Sequence, residues 1–126
     1  MRIECAEDCG NAPRKAQLKE FIISLAKSPI DAGQDLMADD IVWDIVGKQR
    51  IVGPEAVLAA FAVSADGKPA ALRIHNIITH GNTAAANYSI TMDDGIQIEY
   101  CDVYVFRGFG KNGKLKEVRS YRIHLT

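Results

Sequence analysis

The chain has 126 residues and a mass of 13.8 kDa, enough for one domain with a genuine core and too little for two. Apolar residues make up 48% and charged residues 25%, which excludes a disordered chain, and no apolar run approaches the roughly 20 residues of a membrane span. Fifteen basic and sixteen acidic residues leave a net charge of −1, without the basic excess of a nucleic-acid binder, so neither nucleic acid nor membrane is expected as a partner.

The opening segment, Met1 to Cys9, has no apolar run behind its single Arg and does not read as a secretory signal, so a cytoplasmic location is expected. Residues 1–11 lack a clear period and read as a loose arm, with one domain over 12–126. Cys5, Cys9 and Cys101 are odd in number and lack a Cys-x-x-Cys pair, so reduced thiols are expected, with no metal and no cofactor. From Ala12, the spacing of Leu18, Phe21, Ile22 and Leu25 predicts a helix capped by Asn11 that stops at Ser28-Pro29. A second helix is predicted from Ser28, with Ile30, Leu36 and Met37 as its apolar contacts. A strand follows at Ile41–Val46, then a polar turn at Gly47–Arg50. Gly53-Pro54-Glu55 opens a third helix with the stripe Val57, Leu58, Phe61, ending before the loop Asp66–Pro69.

The period then changes from 3.6 to 2. Strands are predicted at about 71–80, 83–92, 96–107 and 115–125, with Asp94-Gly95 as a tight-hairpin signal. Helices followed by a run of antiparallel strands make an α+β domain, with the helices on one face of a curved sheet.

The strands carry the candidate chemistry. The even face of 96–107 is Ile96, Ile98, Tyr100, Asp102, Tyr104 and Phe106. An Asp inside such a face must be hydrogen-bonded, paired or protonated, unless it sits at a sheet end and meets solvent. Asp44 lies between Val42 and Val46 on one face of its strand, either in a cavity or exposed at the strand end. On 83–92, Ala84 and Ala86 precede Tyr88, Ile90 and Met92, which fits a tapering cavity and fits ordinary helix packing equally. If Arg107 faces Leu115, Asp102 lies opposite Ser120 and Arg122 is its diagonal neighbour; a slip of one residue reverses this. His75, His80 and His124 lack metal-ligand spacing and read as surface or hydrogen-bonded side chains. Gly108, Gly110 and Gly113 precede a strand and mark a turn, not a phosphate loop. Val103, Val105, Tyr121 and Ile123 form an apolar outer patch, so a homodimer through that face is expected.

The order of elements resembles the cone-shaped nuclear transport factor 2-like fold. The segments Met37–Gly47, Gly53–Val57, Cys101–Phe106 and Gly113–Arg119 are similar to SnoaL-like polyketide cyclases and, more distantly, to ketosteroid isomerases. The resemblance covers about residues 12–125. It implies three N-terminal helices packed in the concave face of the sheet. It also implies a general base at Asp44 and, at Asp102, a neutral acid that donates to an oxyanion. Phe21 stands where the isomerases carry a tyrosine, so Tyr88, Tyr100 or Tyr104 must supply that donor. Phe21, Trp43, Tyr88, Tyr100, Tyr104 and Arg122 are expected to line the substrate pocket. An Asp102–Arg122 ion pair would keep Asp102 ionised and exclude the donor role. The implied function is binding of an apolar small molecule, as an isomerase or cyclase with a carboxylate base acting on a carbonyl substrate. The alternative is a non-catalytic ligand-binding or dimerising module of the same fold.

Overall fold

The computed structural model describes residues 1–5, 12–27, 33, 35–63, 68–108 and 112–125, the side chains of 62 and 63 excepted. The elements in chain order are β1 (Arg2–Cys5), α1 (Pro13–Lys27), β2 (Met37–Ile45), β3 (Gln49–Val52), α2 (Pro54–Val63), β4 (Pro69–His80), β5 (Thr83–Met92), β6 (Gln97–Phe106) and β7 (Leu115–Leu125). The seven strands form one sheet in the order β1-β4-β5-β6-β7-β2-β3. Strands β4 to β7 run as an antiparallel meander, while β1 pairs parallel with β4 and β2 pairs parallel with β7.

Alternation sets the two faces of the sheet. The even residues of β5 and β6 point inward, from Ala84 to Met92 and from Ile98 to Phe106, and most are buried. Helix α1 lays Leu18, Phe21 and Ile22 against the inner face, chiefly over β4, and α2 adds Val57 and Leu58 beside β2 and β3. The turn after β5 is a tight one, as Asp94-Gly95 predicts: Gly95 adopts a φ of 90° and the Asp94 carboxylate accepts from the Ile96 amide at 3.0 Å. One end of the concave face is filled by Phe106, Leu115, Ile77 and Leu18, with the Arg14 guanidinium 3.7 Å from the centre of the Phe106 ring. Ala84 and Ala86 belong to this filled end, where their small side chains leave room for the core. The larger residues of β5 sit at the other end.

Several expectations change. Arg2–Cys5 is not a loose arm: its polar–apolar alternation suits an edge strand, and it pairs with Ala71–Ile74. Two helices lie among the described residues instead of three. The second predicted helix falls largely on 28–32 and 34, outside the described residues. Its expected last apolar contact, Met37, opens β2 instead, buried beside Leu115. The turn predicted at Gly47–Arg50 is shorter, because Arg50-Ile51-Val52 alternates and pairs antiparallel with Val42–Asp44. Cys101 is a free thiol, and Cys9 lies outside the described residues.

Candidate functional site

The unfilled end of the concave face holds a pocket of about 650 Å³. It is built where seven elements finish or begin: the ends of α1, α2, β2, β5 and β7 and the starts of β4 and β6. Ile22 and Leu25 come from α1, Trp43 and Ile45 from β2, and Phe61 from α2. Tyr88, Ile90 and Met92 come from β5, and Ile98 and Tyr100 from β6. The wall is largely aromatic. Trp43 meets Phe61 edge-on at 4.9 Å, and Tyr88 stacks on Tyr100 at 4.9 Å with 7° between the rings.

Beneath the Tyr88 side of the wall is a buried polar cluster. Asp102 is 1% exposed, and its Oδ2 accepts the hydroxyls of Tyr88 at 2.6 Å and Tyr104 at 2.9 Å. Its Oδ1 is buried without a hydrogen-bond partner. Ser120 lies directly across the ladder, where its hydroxyl oxygen accepts the Trp43 indole N–H at 2.9 Å. Burial pushes the Asp102 carboxyl above the ordinary carboxylate range, against the opposing pull of the Tyr88, Ser120 and Tyr104 hydroxyls and the more remote Arg122 charge. Burial, reinforced by the Asp102 carboxylate, also raises Tyr88 and Tyr104 well above the usual phenol range.

Arg122 reaches the pocket from β7, opposite Tyr100 in the ladder. Its guanidinium lies 5.3 Å from the centre of the Phe61 ring and 5.2 Å from that of Tyr100. No ion pair joins it to Asp102 among the described residues. The expected register, Asp102 opposite Ser120, is found, although Phe106 rather than Arg107 faces Leu115; a bulge between Val105 and Phe106 restores the pairing.

The predicted site residues therefore separate into groups. Trp43, Tyr88, Tyr100 and Arg122 line the pocket together. Asp102 and Tyr104 are fully buried behind that wall. Phe21 does not line it but packs one layer back, its ring centre 6.0 Å from that of Trp43. Asp44 is placed on the other side of the sheet. Ile41, Trp43 and Ile45 take the inward positions of β2, so Val42 and Asp44 point outward. There the Asp44 carboxylate lies 3.9 Å from Arg119 and is aligned with Arg50 on the next strand. The predicted cavity position for Asp44 is thus corrected, because the bulk of Ile41, Trp43 and Ile45 takes the inward face of β2 and leaves Val42 and Asp44 outside.

The sequence reading missed Phe61, Lys27, Lys48, Lys68 and His124 as pocket residues. His124 shares the inward parity of Ser120 and Arg122, which was a usable signal. The lysines come from the ends of separate elements and carry no local pattern. His75 is hydrogen-bonded to Ser89 at 2.8 Å. No group of His, Cys, Asp or Glu among the described residues is arranged to hold a metal ion. No helix among them is long and apolar enough to cross a membrane.

A sequence model described as the SnoaL-like domain matches residues 18–118. No curated protein matches the chain by sequence. Among solved structures, an NTF-2 like protein of unknown function from Burkholderia xenovorans LB400 is similar, with 25% identity, a TM-score of 0.75, and coverage of 91% of this chain and 86% of that one. A de novo designed protein with a curved β-sheet is similar in fold at 17% identity and a TM-score of 0.73, covering 89% and 86%. A LEH-like epoxide hydrolase from M. tuberculosis is likewise similar in fold at 17% identity and a TM-score of 0.66, covering 88% and 83%.

Proposed function

We propose a ligand-binding role for this chain, which belongs to the SnoaL-like domain family. The pocket at the open end of the cone takes a small, flat, largely apolar molecule and holds it between aromatic rings. The observation that carries this reading is the pocket itself: about 650 Å³, walled by Trp43, Phe61, Tyr88 and Tyr100, with no carboxylate on its wall among the described residues. With Asp44 on the outer face, no carboxylate among the described residues stands on the pocket wall to act as base, which favours binding as the role.

Isomerase or cyclase chemistry is the second reading, and the buried Asp102 favours it. A neutral Asp102 can donate its own proton to Tyr88 or Tyr104. Tyr88 would then be free to turn its hydroxyl toward a ligand oxygen at the pocket wall. Asp102 acts in that case by positioning Tyr88.

The test is a titration with benzylideneacetone, an apolar aromatic enone, followed by NMR. Saturable shifts of the Trp43 indole N–H and of the Tyr88 and Tyr100 rings are expected, and no shift at any of them at millimolar probe would sink the reading. The Asp44→Asn variant is expected to bind within about twofold of the native chain and to stay within about 0.5 kcal/mol of its stability, as for a half-exposed ion pair. A tenfold loss of affinity in that variant would return Asp44 to the site.

We also propose a homodimer through the outer face of β6 and β7. Tyr121, Ile123 and Leu125 are exposed there, Ile123 to 63%, beside half-buried Val103 and Val105. Within this strip Glu99 lies across from Ile123 and Arg119 across from Val103, so an antiparallel copy centred on Tyr121 brings Glu99 of one beside Arg119 of the other. Light scattering is expected to give twice the 13.8 kDa of one chain. A single monomeric species at micromolar concentration refutes it.

A further inference from the structure

The charged side chains that line the pocket, among the described residues, are all of one sign. Among the described lining residues, Lys27, Lys48, Lys68 and Arg122 are cationic, His124 is the remaining ionisable group besides the tyrosines, and none is an Asp or Glu. The chain as a whole is nearly balanced at −1, so the bias is one of the pocket lining, while Asp93 and Asp94 follow Met92 at the same end of the sheet. The three lysines and His124 are exposed, whereas Arg122 is drawn further in. A ring of cations at a mouth with apolar walls concentrates anions near it.

Arg122 is the most informative of these groups. Its guanidinium sits near two ring faces, which orient it without using its hydrogen-bond donors. Its Nε is buried and has no hydrogen-bond partner. Buried donors are ordinarily satisfied, so this unmet one leaves the pocket-lining guanidinium short of an acceptor that the protein does not supply. Asp102 does not fill that role, because it is committed to Tyr88 and Tyr104 behind the wall.

We propose that the ligand is an organic anion, a conjugated or aromatic carboxylate or enolate, whose flat body lies against Trp43, Phe61, Tyr88 and Tyr100 and whose charged oxygen is bound by Arg122. This rests on the reading of the pocket as a small-molecule site and narrows its ligand class.

Cinnamate and cinnamamide share one flat skeleton and differ in charge, and benzylideneacetone is the uncharged ketone of the same shape. Calorimetry at pH 7 is expected to show cinnamate binding about tenfold or more tighter than cinnamamide, as for one charge-assisted hydrogen bond to a partly desolvated arginine. In Arg122→Gln that advantage should disappear, the ratio of cinnamate to cinnamamide affinity falling to about one, with folding checked by circular dichroism. A preference that survives in Arg122→Gln overturns the assignment to Arg122. If that variant does not fold, the native chain decides alone: cinnamate no tighter than cinnamamide refutes the anion. Binding of benzylideneacetone or cinnamamide without any cinnamate preference leaves the pocket reading intact and removes this inference; if none of the three binds, both fall.

Discussion

Replacing Asp102 with alanine is expected to destabilise the protein by about 2–4 kcal/mol, because it strands two buried tyrosine hydroxyls at about 1–3 kcal/mol each and relieves only part of that cost by removing a desolvated carboxyl. Tyr88 and Tyr104 both donate to the same oxygen; Tyr104 is fully buried, and Tyr88 keeps only a small exposed edge on the pocket wall. Asp102→Asn should behave differently, staying within about 1 kcal/mol of the native protein, since the amide keeps an acceptor oxygen for the pair. Urea unfolding at pH 7 reads both. A loss under about 1 kcal/mol in Asp102→Ala would mean that the tyrosines find other partners and that the cluster is not cohesive.

The same pair of proteins gives a pH signature. Burial raises the Asp102 carboxyl in the native state above its unfolded value of about 3.9. Between that value and the higher native one, the folded protein binds more protons than the unfolded one, so this group's contribution to stability falls as pH rises. It is fully present below about pH 3.9 and lost above the native value. Subtracting the Asp102→Asn stability curve from the native one should therefore leave a difference that declines with rising pH across that window. A difference that increases with pH would instead indicate a depressed carboxyl, as an ion pair with Arg122 would produce.

Asp102 was legible in the sequence because β6 alternates without interruption and every other inward position from Ile98 to Phe106 is apolar or aromatic. Asp44 was not legible for the opposite reason. β2 presents apolar residues on both faces, so alternation alone leaves its parity open, and only the greater bulk of Ile41, Trp43 and Ile45 over Val42 decides it. The opposition of Asp102 and Ser120 came out correctly through two departures that cancel, a hairpin pairing one residue away and a bulge beside it. The cationic mouth was invisible because Lys27, Lys48, Lys68 and Arg122 are scattered along the chain and meet only when the sheet curves. Phe61 was recognised as part of a helical stripe, but periodicity cannot tell a residue packed in the core from one on a pocket wall.

Trp43→Ala is expected to be the most damaging single substitution in the pocket wall, at about 3–5 kcal/mol, the usual range for truncating a buried aromatic. Trp43 is 1% exposed, touches the Phe61 ring edge-on on one side and has Phe21 on another, and donates its indole N–H to Ser120. Removing the ring deletes those contacts at once and opens the core into the pocket, where the space is too apolar to gain much from water. Trp43→Phe separates the contributions. It keeps an aromatic edge for Phe61 but leaves the buried Ser120 hydroxyl without its donor, so a cost of about 1–2 kcal/mol is expected. Binding of benzylideneacetone should follow the wall and not the hydrogen bond, with Trp43→Phe within about threefold of native and Trp43→Ala weaker by about tenfold or more, in the range of an aromatic anchor. Urea unfolding and NMR titration of the Tyr88 and Tyr100 rings measure the two effects on the same samples. A Trp43→Ala protein that loses less than about 1.5 kcal/mol would show that this wall is loosely packed against the core, and unchanged ligand affinity in it would place the bound molecule elsewhere.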